Sequence, residues 1–214
     1  MIKIVFTFIL ISVSLFFVES NQYANFLPFS SDECSGDPYG IGYSIRLNGC
    51  ISAISSNLFL TFKNISDENS LMVEQYDGGD CSPNNPTTIS EIRLNKNNNT
   101  CIVPPYLQEI NGTINPPILY TKVVISDTPI FSKDSVVFGQ FDGQCISDNL
   151  LYSYSFSNGL ALIEDNNNNI TDTYICPKNR PGLQYCIAGK CITKKIEEKC
   201  IGTTDIKISA FCQN

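Results

Sequence analysis

Alternation of apolar and polar side chains with a period of two runs through much of this chain. In "YSIRLN" Ile45 and Leu47 fall on one face and Ser44 and Arg46 on the other. "LFLTFK" sets Leu58, Leu60 and Phe62 against Phe59, Thr61 and Lys63, and "EIRLN" sets Ile92 and Leu94 against Glu91 and Arg93. That period is the signature of a pleated strand with one buried face. "YTKVVIS", "SVVFGQF" and "LLYSYSF" are β-branched or aromatic runs bounded by Asp, Pro, Asn and Gly, which predicts strands closed by turns. Only "TKKIEEKC" around Lys195 has helical spacing, for two turns at most. The pattern predicts an all-β fold of disulfide-stabilised antiparallel hairpins, packed as a sandwich-like body.

The first twenty residues break the alternation. One Lys is followed by an apolar run from Ile4 to Val18, interrupted only by Thr and Ser, with small residues Val18 and Ser20 at a cleavage-site spacing. Residues 1–20 therefore read as a secretory signal peptide, and the mature protein is expected outside the cell. No second long apolar stretch follows, so no membrane anchor is expected. The formal net charge of −7 argues against nucleic acid or an anionic membrane as partner.

Ten cysteines lie beyond residue 20: Cys34, Cys50, Cys81, Cys101, Cys145, Cys176, Cys186, Cys191, Cys200 and Cys212. An even count in an exported chain predicts five disulfides. With no Cys-x-x-Cys and no histidine, neither a metal nor another cofactor is expected. "CSGDPYGIGYSIRLNGCI" from Cys34 and "CSPNNPTTISEIRLNKNNNTCI" from Cys81 share an opening Cys-Ser, an Ile-Arg-Leu-Asn eleven residues on, and a closing Cys-Ile. This repeat predicts Cys34–Cys50 and Cys81–Cys101. A fainter copy, "FGQFDGQCIS" beside "VEQYDGGDCS", predicts Cys145–Cys176. The spacing of Cys186, Cys191, Cys200 and Cys212 does not choose among their three pairings. Four sequons, at Asn64, Asn98, Asn111 and Asn169, predict N-glycosylation on polar loops.

The residues Asp32-Glu33-Cys34-Ser35-Gly36, Asn48-Gly49-Cys50-Ile51 and Asn99-Thr100-Cys101-Ile102 resemble a family of secreted, signal-bearing glycoproteins from social amoebae, known as a domain of unknown function. The resemblance implies secretion and brings no catalytic residue with it. The expected organisation is a signal peptide (1–20), two related cysteine-hairpin units (21–118), a third β unit (119–180) and a cysteine-rich tail (181–214). The two Pro-Pro pairs of "PPYLQEINGTINPP", residues 104–117, mark a linker.

Candidate chemistry is sparse. Without histidine there is no Ser-His-Asp triad and no Cys-His pair. A glycosidase would need two facing carboxylates. Asp77 and Asp80 in "YDGGDC", Asp142 in "FDGQC", and Glu164-Asp165 are the candidates, although Asp-Gly before a cysteine is ordinarily a turn. Tyr152, Tyr154 and Phe156 form an aromatic stripe that suits sugar stacking if exposed and a core if not. "CPKNRPGLQYC", residues 176–186, offers Arg180 as the specificity residue of a protease-inhibitor loop, opposed by Pro181. The sequence thus predicts a non-enzymatic recognition or structural protein, its partner a glycan or an extracellular protein. A lectin-like module, a carboxylate hydrolase and a protease inhibitor are the alternatives.

Overall fold

The computed structural model describes residues 21–52, 58–65, 69–77, 81–82, 86–94, 101–103, 120–165, 170–202 and 205–213. The expected signal peptide, the 104–117 linker, Asp80, and the sequons at Asn98, Asn111 and Asn169 lie outside them. The first strands are β1 (Tyr23–Phe29), β2 (Ile41–Arg46), β3 (Ile51–Ser52), β4 (Leu58–Ile65), β5 (Ser70–Asp77) and β6 (Thr88–Arg93). Next come β7 (Cys101–Ile102), β8 (Tyr120–Ser126), β9 (Ser135–Asp142), β10 (Leu150–Ser157) and β11 (Ala161–Asp165). The chain closes with β12 (Ile170–Ile175), β13 (Gly182–Ile187), β14 (Lys190–Lys195), β15 (Ile201–Gly202) and β16 (Ile206–Gln213). The fold is all-β and antiparallel, as the alternation predicts. The segment expected to be helical is instead β14 followed by extended chain. Its entry is a two-residue turn in which Ala188 and Gly189 both take positive φ, the geometry of a tight hairpin.

Eight strands form one sheet in the order β15-β16-β9-β10-β2-β1-β8-β7. β3 to β6 and β11 to β14 form two four-stranded meanders. Register explains how they stack. Val123, Phe26, Tyr43, Tyr154, Phe138 and Ala210 are successive cross-strand partners, so they share one face of the large sheet. Phe26 on that face meets Phe62 of β4 edge-on at 6.1 Å. Phe138 and Phe156 both meet Tyr174 of β12. One hydrophobic core therefore joins all three sheets, with Ile45, Phe62, Leu71, Tyr152 and Leu162 all buried in it.

The opposite face carries a row of small polar residues: Asn25, Ser44, Ser153 and Gly139 are successive partners. The β8–β9 connection crosses this face. Asn25 anchors it, with Oδ1 accepting from Ser44 Oγ and the Ile130 backbone N–H at 2.7 Å each, while Nδ2 donates to Ser126 Oγ at 2.8 Å. Asn25, Ser44 and Ser153 are fully buried, so both faces of β2 and β10 are covered here and Ser44, expected to point outward, does not see solvent, whereas Arg46 at the strand end is partly exposed. A Cβ at Gly139 would lie 2.7 Å from the Phe141 ring, so any larger residue would force that buried ring to shift.

All ten cysteines are paired, but not as the repeat predicts. The bridges are Cys34–Cys101, Cys50–Cys81, Cys145–Cys200, Cys176–Cys212 and Cys186–Cys191. Cys34 precedes β2 and Cys50 follows it, so a strand of six residues separates them. That is roughly 20 Å, against the 4.4–6.8 Å between Cα atoms that a disulfide tolerates. The same holds for Cys81 and Cys101, which flank β6. A single strand carries the chain away, and a second is needed to bring it back. The two repeats therefore bridge each other in nested fashion, first to last and inner to inner. Cys145 and Cys176 are kept apart by the length of β9: Cys145 lies just beyond its end, whereas Cys176 Sγ is 3.4 Å from the carbonyl of Ser135 at its start.

Candidate functional site

The aromatic stripe is core. Tyr152 and Phe156 are 1 % and 2 % exposed, and Tyr154 is half-buried. Tyr154 stacks on Phe138 at 5.0 Å and Phe156 on Tyr174 at 3.9 Å. Tyr174 of the β11–β14 meander packs on Phe156 and Phe138, and the same core holds Phe62 and Leu71 of the other meander, so the stripe faces inward. Tyr152, Tyr154 and Phe156 therefore do not form an exposed sugar platform.

The carboxylates drawn from the sequence are scattered. Asp77 is exposed at the end of β5 in the first meander. Asp142 is exposed at the end of β9, 4.0 Å from Arg46. Glu164 and Asp165 close β11. Cys176 and Cys186, which bound the inhibitor-loop candidate, belong to separate bridges, Cys176–Cys212 and Cys186–Cys191. Arg180 is exposed beside a buried Pro181. Asn64 is exposed near the end of β4, where a glycan has room.

Three arrangements emerge that the alternation does not reveal. The first is buried within β4 and β5. Glu74 accepts hydrogen bonds from Lys63 Nζ at 2.8 Å, Tyr76 Oη at 2.6 Å and Thr61 Oγ1 at 3.0 Å. Lys63, then Tyr76, hold its carboxyl below the usual carboxylate value, against the opposing effect of burial. The reciprocal bond raises the Tyr76 phenol. The sequence signal is a lone Glu in a strand opposite Thr61.

The second is a cleft of about 440 Å³ on the small-residue face, floored by Phe131, Phe141, Leu150 and Phe211, with Glu198 at its wall. The third, of about 500 Å³, lies at the end of the large sheet where β10 finishes. Asp37, Tyr39, Lys133, Asp134 and Asn158 line it. It joins the β1–β2 and β8–β9 connections, which are far apart in the chain. Among the described residues no three metal-binding side chains cluster, and no helix is long and apolar enough to cross a membrane.

Residues 2–213 match the family described as counting factor-associated protein A/B/C. The chain belongs to this family. The match spans nearly the whole sequence and agrees with the social-amoeba resemblance carried by the motifs at Cys34, Cys50 and Cys101. No curated protein and no solved structure matches the chain. Five disulfides are typical of proteins that mature in an oxidising, extracellular-type compartment.

Proposed function

We propose that the protein is exported behind residues 1–20, N-glycosylated, and acts without catalysis by binding another extracellular protein. The family description speaks of association with a counting factor, and a binding role of that kind suits this chain. The observation that carries the reading is the cross-linking. Two bridges brace the first half, Cys145–Cys200 ties two connections of the large sheet, Cys176–Cys212 joins β12 to β16, and Cys186–Cys191 staples β13 to β14. Such a frame fixes surface loops without ordering cost on binding, which favours recognition.

The test is to add tagged, secreted protein to medium conditioned by social-amoeba cells, recover it by affinity and size-exclusion chromatography, and assay it on glycoside, ester and peptide substrates. The expected result is a defined protein complex that forms with no turnover. Turnover abolished by Asp37→Asn or Asp134→Asn would replace this reading with a carboxylate hydrolase working in the cleft at Asp37.

A further inference from the structure

Among the described residues every Phe and Tyr is buried or half-buried except one. Tyr39 is 47 % exposed. Its backbone is held in place: the Tyr39 N–H donates to the Pro28 carbonyl at 3.0 Å, and the next N–H, that of Gly40, donates to the buried Ser157 Oγ at 2.9 Å. The residue lines the cleft at the end of β10, together with Asp37, Lys133, Asp134 and Asn158. Further bonds tie the contributing stretches to one another. The Ser157 N–H donates to the Gly40 carbonyl at 3.0 Å, and the Asn158 N–H to the Asp134 carbonyl at 2.8 Å.

The polar groups of the cleft are of both kinds. Asp37 and Asp134 supply acceptors, and Lys133 supplies donors. None of the three takes part in an ion pair among the described residues. Asn158 Oδ1 accepts the Cys176 backbone N–H at 3.0 Å, which orients the amide and leaves its Nδ2 hydrogens as donors. A hydroxyl both donates and accepts, so a polyol can use every one of these groups. A small cation is opposed by Lys133, and a small anion by the two carboxylates. The exposed ring narrows the choice further. One face of a pyranose is a patch of C–H groups, which packs against the electron-rich face of a phenol ring. A volume of about 500 Å³ lies in the range of small-ligand sites.

We propose that the Asp37–Tyr39 cleft binds a neutral hexopyranose unit of a glycan, with Tyr39 stacking on the sugar and Asp37, Asp134, Lys133 and Asn158 bonding to its hydroxyls. Charged side chains in surface connections usually serve only to stay hydrated. Here they surround the single exposed aromatic residue, on backbone already tied together, so little order is lost when a ligand enters. The site does not rest on the protein contact proposed above.

Calorimetric titration of the secreted protein with the methyl glycosides of glucose, galactose, mannose and N-acetylglucosamine tests this. At least one should bind with a Kd of about 1 mM or tighter. Tyr39→Ala should weaken that binding at least about tenfold, whereas Tyr39→Phe should retain it, because the ring face carries the stacking. Asp37→Asn should weaken it about tenfold, since an ionised carboxylate accepts more strongly than an amide oxygen. Circular dichroism confirms that each variant is folded. Binding of none of the four glycosides overturns the inference, as does undiminished binding by folded Tyr39→Ala or Asp37→Asn. So does a Tyr39→Ala variant that loses a co-purifying protein while the wild type binds no sugar, which would assign the cleft to a protein partner.

Discussion

Phe156→Ala should cost the folded protein about 3–5 kcal/mol, the usual range for removing a fully buried aromatic ring. Phe156 is 2 % exposed and stacks on Tyr174 at 3.9 Å, and Phe138 and Tyr154 approach it edge-on. Truncation would open a cavity where the large sheet meets the β11–β14 meander, so the loss includes cavity formation as well as lost transfer energy. Tyr152→Phe, two strand rows away, should behave in the opposite sense. The Tyr152 hydroxyl is buried with no hydrogen-bond partner among the described residues, and its burial drives the phenol well above its ordinary pKa. Deleting an unpaired buried hydroxyl leaves stability unchanged or raises it by about 1 kcal/mol. Urea unfolding of both variants checks the pair. A carbohydrate-binding stripe would show little stability change in either.

Glu74→Gln should destabilise the protein by about 1–3 kcal/mol at neutral pH, since it weakens a charge-assisted bond to Lys63 and disturbs those from Tyr76 and Thr61. The direction of the pH effect follows from the carboxyl being held below its ordinary value of 4.5. Above that value Glu74 is ionised in both the folded and the unfolded chain, and its full contribution is present. As pH falls below 4.5 the unfolded chain takes up the proton first, and the contribution is lost as pH approaches the lowered folded value. The gap between wild type and Glu74→Gln should therefore be widest near neutrality and narrow below pH 4.5. Unfolding midpoints measured from neutral to acid pH check this, and a gap that widens on acidification would contradict it.

Strands that bury one face announced themselves in the sequence. Ile92 is buried while Glu91 and Arg93 are exposed, as alternation requires. β1 was not legible, because "YANFLPF" mixes a buried Asn with a Pro. Its pairing to β2 stops at Phe26, so Pro28 is clear of that ladder. The helical reading at Lys195 failed because spacing of Lys and Glu describes an exposed helix and an exposed edge strand alike. The Ala188-Gly189 turn, an uncommon substitute for Asn-Gly, decided the matter. The cysteine pairing was lost for a different reason. Recurrence showed that two segments are alike, but not how many strands return each to its start. The Asp37 cleft is assembled from connections about a hundred residues apart, which no local pattern can indicate.

Mapping peptides from the unreduced protein tests the nested arrangement most directly. Proteolysis without reduction, followed by mass spectrometry, should recover Cys34 linked to Cys101 and Cys50 linked to Cys81. Recovery of Cys34 joined to Cys50, or of either as a free thiol, would contradict it.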